Sequence, residues 1–136
     1  MNSSLTALLT KLSWQQNELS LQLKTVEKDI VGIKQNLDEL VQKINHYSAP
    51  PLIINPEMEI NKLNFITQKH EQKENLLIQL KNGHSLENQL KDKIQRVKTE
   101  VKMLQKYLDR EANLEQQQMN KVQEHSIEEW VLQRRT

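Results

Sequence analysis

The side chains most able to do chemistry near neutral pH are four histidines, His46, His70, His84 and His125. They are scattered singly along the chain, and no two share the spacing of metal ligands. There is no cysteine, which removes disulfides and thiolate chemistry. Glu128 and Glu129 are adjacent, so on a helix they point in different directions and cannot act as a catalytic pair. With two glycines in the whole chain there is no Gly-rich phosphate loop and no nucleophile elbow. Each histidine therefore reads as a surface residue. No catalytic residue, cofactor or metal is expected, and the protein is expected not to be an enzyme. The residues that suggest a function are apolar. Ile127, Trp130 and Val131 stand at i, i+3 and i+4, which makes one face of a helix.

The composition explains what must carry that face. Of 136 residues only 36% are hydrophobic and 4% aromatic. One Phe, two Tyr and two Trp cannot fill a conventional globular core of this length. Two Gly leave few tight turns for sheets. The charged fraction is 27% and the net charge +1, so there is no global reason to expect a nucleic-acid or anionic-membrane partner. The N-terminus has no basic region followed by an apolar one, and no signal peptide is expected. No apolar run approaches the ~20 residues of a membrane span, so no membrane insertion is expected. Together with the missing cysteines this fits a cytoplasmic location.

The first half is a heptad repeat. Steps of four and three from Leu5 reach Leu9, Leu12, Gln16, Leu19, Leu23, Val26, Ile30, Ile33, Leu37, Leu40 and Ile44. Only Gln16 interrupts the apolar series. A period of 3.5 held this long predicts a helix over about 4–46 that supercoils on a partner. Gly32 lies off the seam. The series stops at His46-Tyr47-Ser48-Ala49-Pro50-Pro51, where two prolines end the helix. Leu52-Ile53-Ile54 is expected to pack over the end of the hairpin. Asn55-Pro56-Glu57 then reads as a capped helix start, which leaves 47–56 as a Pro-rich loop.

A second helix is predicted over about 57–134. Ile60, Leu63, Ile66, Leu76, Leu77 and Leu80 mark one face, followed by the clean series Leu90, Ile94, Val97, Val101, Leu104 and Leu108. Asn82-Gly83 is a weak spot and a candidate kink. The 3–4 phase nevertheless runs from Leu80 through Gly83 and Glu87 to Leu90, which favours a continuous helix. The expectation is an all-α fold with a single coiled-coil domain. Its two long helices form an antiparallel hairpin, with the second overhanging at the C-terminus.

At 1.5 Å per residue the helices would measure roughly 60 Å and 110 Å. Pairing outward from the loop puts Leu5 level with residues 98–100. About 35 residues, from Val101 on, would then lack an intramolecular partner, roughly 50 Å of helix. Basic residues dominate before this stretch's middle (Lys91, Lys93, Arg96, Lys98, Lys102, Lys106, Arg110), and acidic ones follow (Glu111, Glu115, Glu124, Glu128, Glu129). Such runs are either a solvated face or a collar for an oppositely charged partner.

The C-terminal stretch Asn120-Lys-Val-Gln-Glu-His-Ser-Ile127-Glu128-Glu129-Trp130-Val131-Leu-Gln-Arg134 resembles the end of the FliJ/YscO family, the stalk proteins of flagellar and injectisome type III export. That family ends in a hydrophobic residue, a pair of acidic residues, an aromatic, a small or apolar residue and a nearby Arg. Asn61-Lys-Leu-Asn-Phe65-Ile66-Thr-Gln-Lys69 resembles a second family motif, and Tyr47 also has a family counterpart. Lys69 stands where the family has Leu. The resemblance implies a non-enzymatic stalk that links a hexameric export ATPase to a membrane export-gate protein. It also implies help with ring assembly and with handover from export chaperones. Ile127, Glu128, Glu129, Trp130, Val131 and Arg134 would bind the ATPase ring, and Phe65 and Ile66 the gate. The location would be peripheral to the inner-membrane export apparatus.

Three other readings remain open. One is a homodimeric coiled-coil adaptor in which helix one pairs with itself. Another is a holdase of the prefoldin kind, which would need strand hairpins and arms of similar length. The third is nucleic-acid binding through Lys91–Arg110, which lacks interleaved aromatics. The unequal arms predict a single chain in isolation.

Overall fold

The structure, a computed structural model, describes residues 3–48 and 55–135. Two helices account for nearly all of them: α1, Ser3–Tyr47, of 45 residues, and α2, Pro56–Arg135, of 80. They pack against each other as an antiparallel hairpin, and no strand occurs among the described residues. Ala49–Ile54 lie outside the described residues, and with them the expected packing of Leu52-Ile53-Ile54.

The ends of the helices follow from local chemistry. Ser48 closes α1: its N–H and its hydroxyl both donate to the Ile44 carbonyl, at 3.0 and 2.7 Å. Asn55 opens α2 as predicted. Its Oδ1 accepts from the Glu57 N–H at 3.1 Å and its carbonyl from the Glu59 N–H at 2.9 Å, with Pro56 in the first helical position. Glu57 and Glu59 at the start of α2, and Arg134 and Arg135 at its end, suit the helix dipole.

The contacts group into two compact units, and both helices run through both. In the unit Glu18–Ile94, the buried residues are Ile30, Leu37, Leu40 and Ile44 of α1 and Leu90 and Ile94 of α2. Ile30, 4% exposed, faces Gly83. A Cβ on Gly83 would stand 3.1 Å from the Ile30 Cγ1, so the glycine makes room for the isoleucine. α2 passes through Gly83 without a break and with no positive φ, which decides for the continuous helix.

In the unit of Met1–Asn17 with Gln95–Thr136, Val97 is buried, and Leu5, Leu9, Leu12 and Gln16 are half-buried with Val101, Leu104 and Leu108. Shielding continues to Glu111 and then stops: every residue from 112 to 135 is exposed. The overhang therefore begins about ten residues later than the sequence predicted. The reason lies at the other end of α2. Met58, Ile60 and Leu63 are exposed, because the first turns of α2 run past Tyr47, whose ring meets Phe65. The end of α1 is level with Phe65 rather than with the first turn of α2, so α1 reaches farther along α2.

The face assigned to early α2 needs a matching correction. Ile60, Leu63 and Leu77 are exposed, whereas Ile66, Leu76 and Leu80 are half-buried. The shielded phase runs instead through Glu59, Lys62, Ile66, Lys69, Lys73, Leu76, Leu80, Gly83 and Glu87. Lysine stems can cover apolar surface while the amines reach water. This fits Leu40, which is buried beside Lys69.

Gly32 meets nothing within 4 Å of an added Cβ. Gly32→Ala is therefore expected to stabilise the hairpin by about 1 kcal/mol through helix propensity alone. A urea denaturation curve followed by helical circular dichroism measures it, and no gain would refute the open space seen there.

Candidate functional site

The residues singled out at the C-terminus lie on the exposed part of α2. Ile127, Trp130 and Val131 share a face as expected, and all three are exposed with no shielding from α1. Two contacts within the helix organise the stretch. The Arg134 guanidinium lies over the Trp130 ring, 4.3 Å from its centroid, one turn onward. His125 Nε2 stands 3.3 Å from Glu129 Oε1. The cation fixes one side of the indole and leaves the rest to water, which is unfavourable for so large an apolar group. Ile127, Glu128, Val131, Leu132 and Arg135 line a shallow groove beside it. The arrangement has the composition of a protein-docking anchor: an aromatic and two aliphatics rimmed by both signs of charge.

Phe65 and Ile66 take different places. Phe65 packs edge-on against Tyr47, ring centroids 4.6 Å apart, and Lys69 Nζ stands 5.1 Å from the Phe65 centroid. His46 packs edge-on against Tyr47 from within α1, at 5.3 Å. Together with Glu39, Gln42 and Lys43 these side chains line an open hollow at the end of α1. Ile66 is half-buried in the seam phase, so of the two it is Phe65 that belongs to this hollow. The lysine at position 69, where the resemblance led to an expectation of Leu, places a cation over the aromatic ring.

A third surface was not read from the sequence. Leu5, Leu8 and Leu12 of α1 with Met103, Leu104 and Tyr107 of α2 line an apolar groove of about 570 Å³. The signal was available: Leu8, Met103 and Tyr107 lie one step off the two heptad seams. Tyr107 donates to the Glu111 carboxylate, and that bond and the negative charge hold its phenol above the ordinary value of 10.0.

The basic residues Lys91, Lys93, Arg96, Lys98, Lys102, Lys106 and Arg110 are all exposed. Lys91 stands 3.7 Å from Glu87, which also faces His84 at 3.7 Å. Among the described residues no three His, Cys, Asp or Glu side chains are grouped to hold a metal. No described helix is long and apolar enough to cross a membrane. Against known proteins, no family model, no curated protein and no solved structure matches this chain.

Proposed function

We propose that this chain is a non-enzymatic stalk component of a type III export apparatus, of the flagellar or injectisome kind. In this reading it joins a hexameric export ATPase to the membrane export gate from the cytoplasmic side, and assists ring assembly and handover from export chaperones. The exposed C-terminal stretch of α2 would enter the ring, with Ile127, Trp130 and Val131 as apolar anchors. Glu128, Glu129 and Arg134 would set orientation. Phe65 would contribute to the gate-facing surface, with Ile66 behind it.

The observation that carries the reading is that α2 remains helical for 24 exposed residues past Glu111, its last shielded residue, and that these residues include the anchor cluster. The C-terminal motif and its likeness to the FliJ/YscO pattern supply the choice of partner. The adaptor reading requires the α1 seam to pair with itself, but α2 already occupies that seam. The prefoldin-like reading requires strand hairpins and similar arms; the helices have 45 and 80 residues, and the described residues contain no strand.

The test is stimulation of a purified type III export ATPase by the full chain. Trp130→Ala combined with Ile127→Ala should weaken the interaction by about 2 kcal/mol or more, as loss of interface anchors does. Undiminished stimulation by the double variant would refute the ring contact.

A further inference from the structure

The groove lined by Tyr107 takes no part in the ring contact proposed above, and it lies within a single unit, Met1–Asn17 with Gln95–Thr136. Leu5, Leu12 and Leu104 form its half-buried floor. Leu8, Met103 and Tyr107 form its walls and are 43%, 66% and 50% exposed. The chain's own exposed end does not return to cover them, because α2 runs on past Glu111 as unbroken helix to Arg135.

The shape selects a helix as occupant. Residues 5–12 and 100–107 each advance seven steps, about 10 Å or two helical turns. The walls are α-helices whose backbone groups are already bonded within them, so an extended peptide would find no main-chain partners there. A helix needs none, because it docks by apolar side chains at i, i+3 or i+4, and i+7. The charge selects its flanks. Arg96, Met103 and Arg110 follow steps of seven along α2, so an arginine stands on the line of Met103 to either side of it. On α1, Lys11 lies three residues from Leu8 on the same face, and it is the only charged side chain in residues 3–17. All three cations are exposed. Glu100 is the one carboxylate in the lining, one turn from Arg96, and Glu111 is engaged by the Tyr107 hydroxyl.

We infer that this groove docks an amphipathic helix of another protein, apolar at i, i+3 or i+4, and i+7 and acidic on both flanks. Its apolar side chains cover Leu8, Met103 and Tyr107. Its carboxylates meet Lys11 from one wall and Arg96 and Arg110 from the other, which excludes a basic helix by like charge. A contact of two turns is small, so it holds on the order of tens of micromolar rather than nanomolar. None of these residues belongs to the C-terminal cluster, so the inference does not rest on the proposed function.

Two labelled synthetic peptides decide it, each an alanine-based helix with leucine at i, i+4 and i+7. One carries glutamate on both flanks and the other lysine. Fluorescence anisotropy against the full chain should show the acidic peptide bound and the basic one at least about tenfold weaker. Leu8→Asp and Met103→Asp should each weaken the acidic peptide at least about tenfold, with unchanged helical circular dichroism. Ile78→Asp, at an exposed site in the other unit, should change it less than about twofold, which separates loss of the groove from added charge. Equal binding of the two peptides, no binding of the acidic one below about millimolar concentration, or binding untouched by Leu8→Asp and Met103→Asp would overturn the inference. So would light scattering of the chain alone that shows a pair separated by Leu8→Asp, since a second copy would then fill the groove. Sedimentation with phosphatidylserine vesicles that Leu8→Asp abolishes would overturn it in favour of a lipid surface.

Discussion

Ile30→Ala should cost the hairpin about 3–4 kcal/mol, in the upper half of the range for emptying a core position. Ile30 is the most buried apolar side chain among the described residues, and the residue across from it is a glycine. When the isoleucine is shortened, no side chain on α2 at that level can lean in to fill the space. For a fold in which seven side chains are buried among the described residues, such a loss is a large share of total stability, which is ordinarily ~5–15 kcal/mol.

Gly83→Leu alone should also destabilise, by about 1–3 kcal/mol, because the position is already 3.1 Å from Ile30 at its Cβ. Better helix propensity offsets part of that cost. The two changes together should cost at least about 1 kcal/mol less than their sum, because each relieves the defect made by the other. Urea denaturation of the four proteins in the cycle measures this directly. Additive costs would mean that Ile30 and Gly83 do not share one space.

Ending the chain after Gln118 should separate stability from function. Residues 119–135 are all exposed, so removing them should move the unfolding free energy by less than ~0.5 kcal/mol. Stimulation of an export ATPase by the truncated chain should be abolished, because the Ile127, Trp130 and Val131 cluster is gone. A truncated chain that pairs with a second copy would point to contact through α1 and favour the adaptor reading. A large fall in stability would mean that the C-terminal stretch packs on the hairpin.

The seam of α1 was legible in full. Every position stepped off from Leu5 to Ile44 is shielded, Gln16 included, because the 3.5-residue period is a geometric property that one polar residue does not shift. The start of α2 was legible for a similar reason: Asn55 and Pro56 act on the backbone locally. The early face of α2 was misread because apolar residues were grouped by type. Extending the clean phase back from Leu90 leads to Glu87, Gly83, Leu80, Leu76 and then Lys73 and Lys69, and that phase is the shielded one. There the long stems of lysine do the covering, and hydropathy scores a lysine as solvent-facing. The start of the overhang was misplaced because the sequence does not say how far α2 runs before it meets α1. The C-terminal cluster was recognised from its spacing, whereas the Tyr107 groove went unnoticed. It is formed jointly by two helices, and its markers, Leu8, Met103 and Tyr107, stand one step off the seams, where each taken by itself reads as an ordinary surface residue.

The continuity of α2 past Glu111 has a thermodynamic consequence for whatever binds there. An isolated helix of this length in water is marginal because its first turn must be nucleated at a loss of backbone entropy. Residues 112–135 are spared that step, since the turn ending at Glu111 is already held by the hairpin. Each further residue adds only a propagation step, supported by side-chain pairs such as Trp130 with Arg134. A binding partner therefore meets a helix grown from a fixed seed, and the entropy lost on association is smaller than for a segment that must fold as it binds.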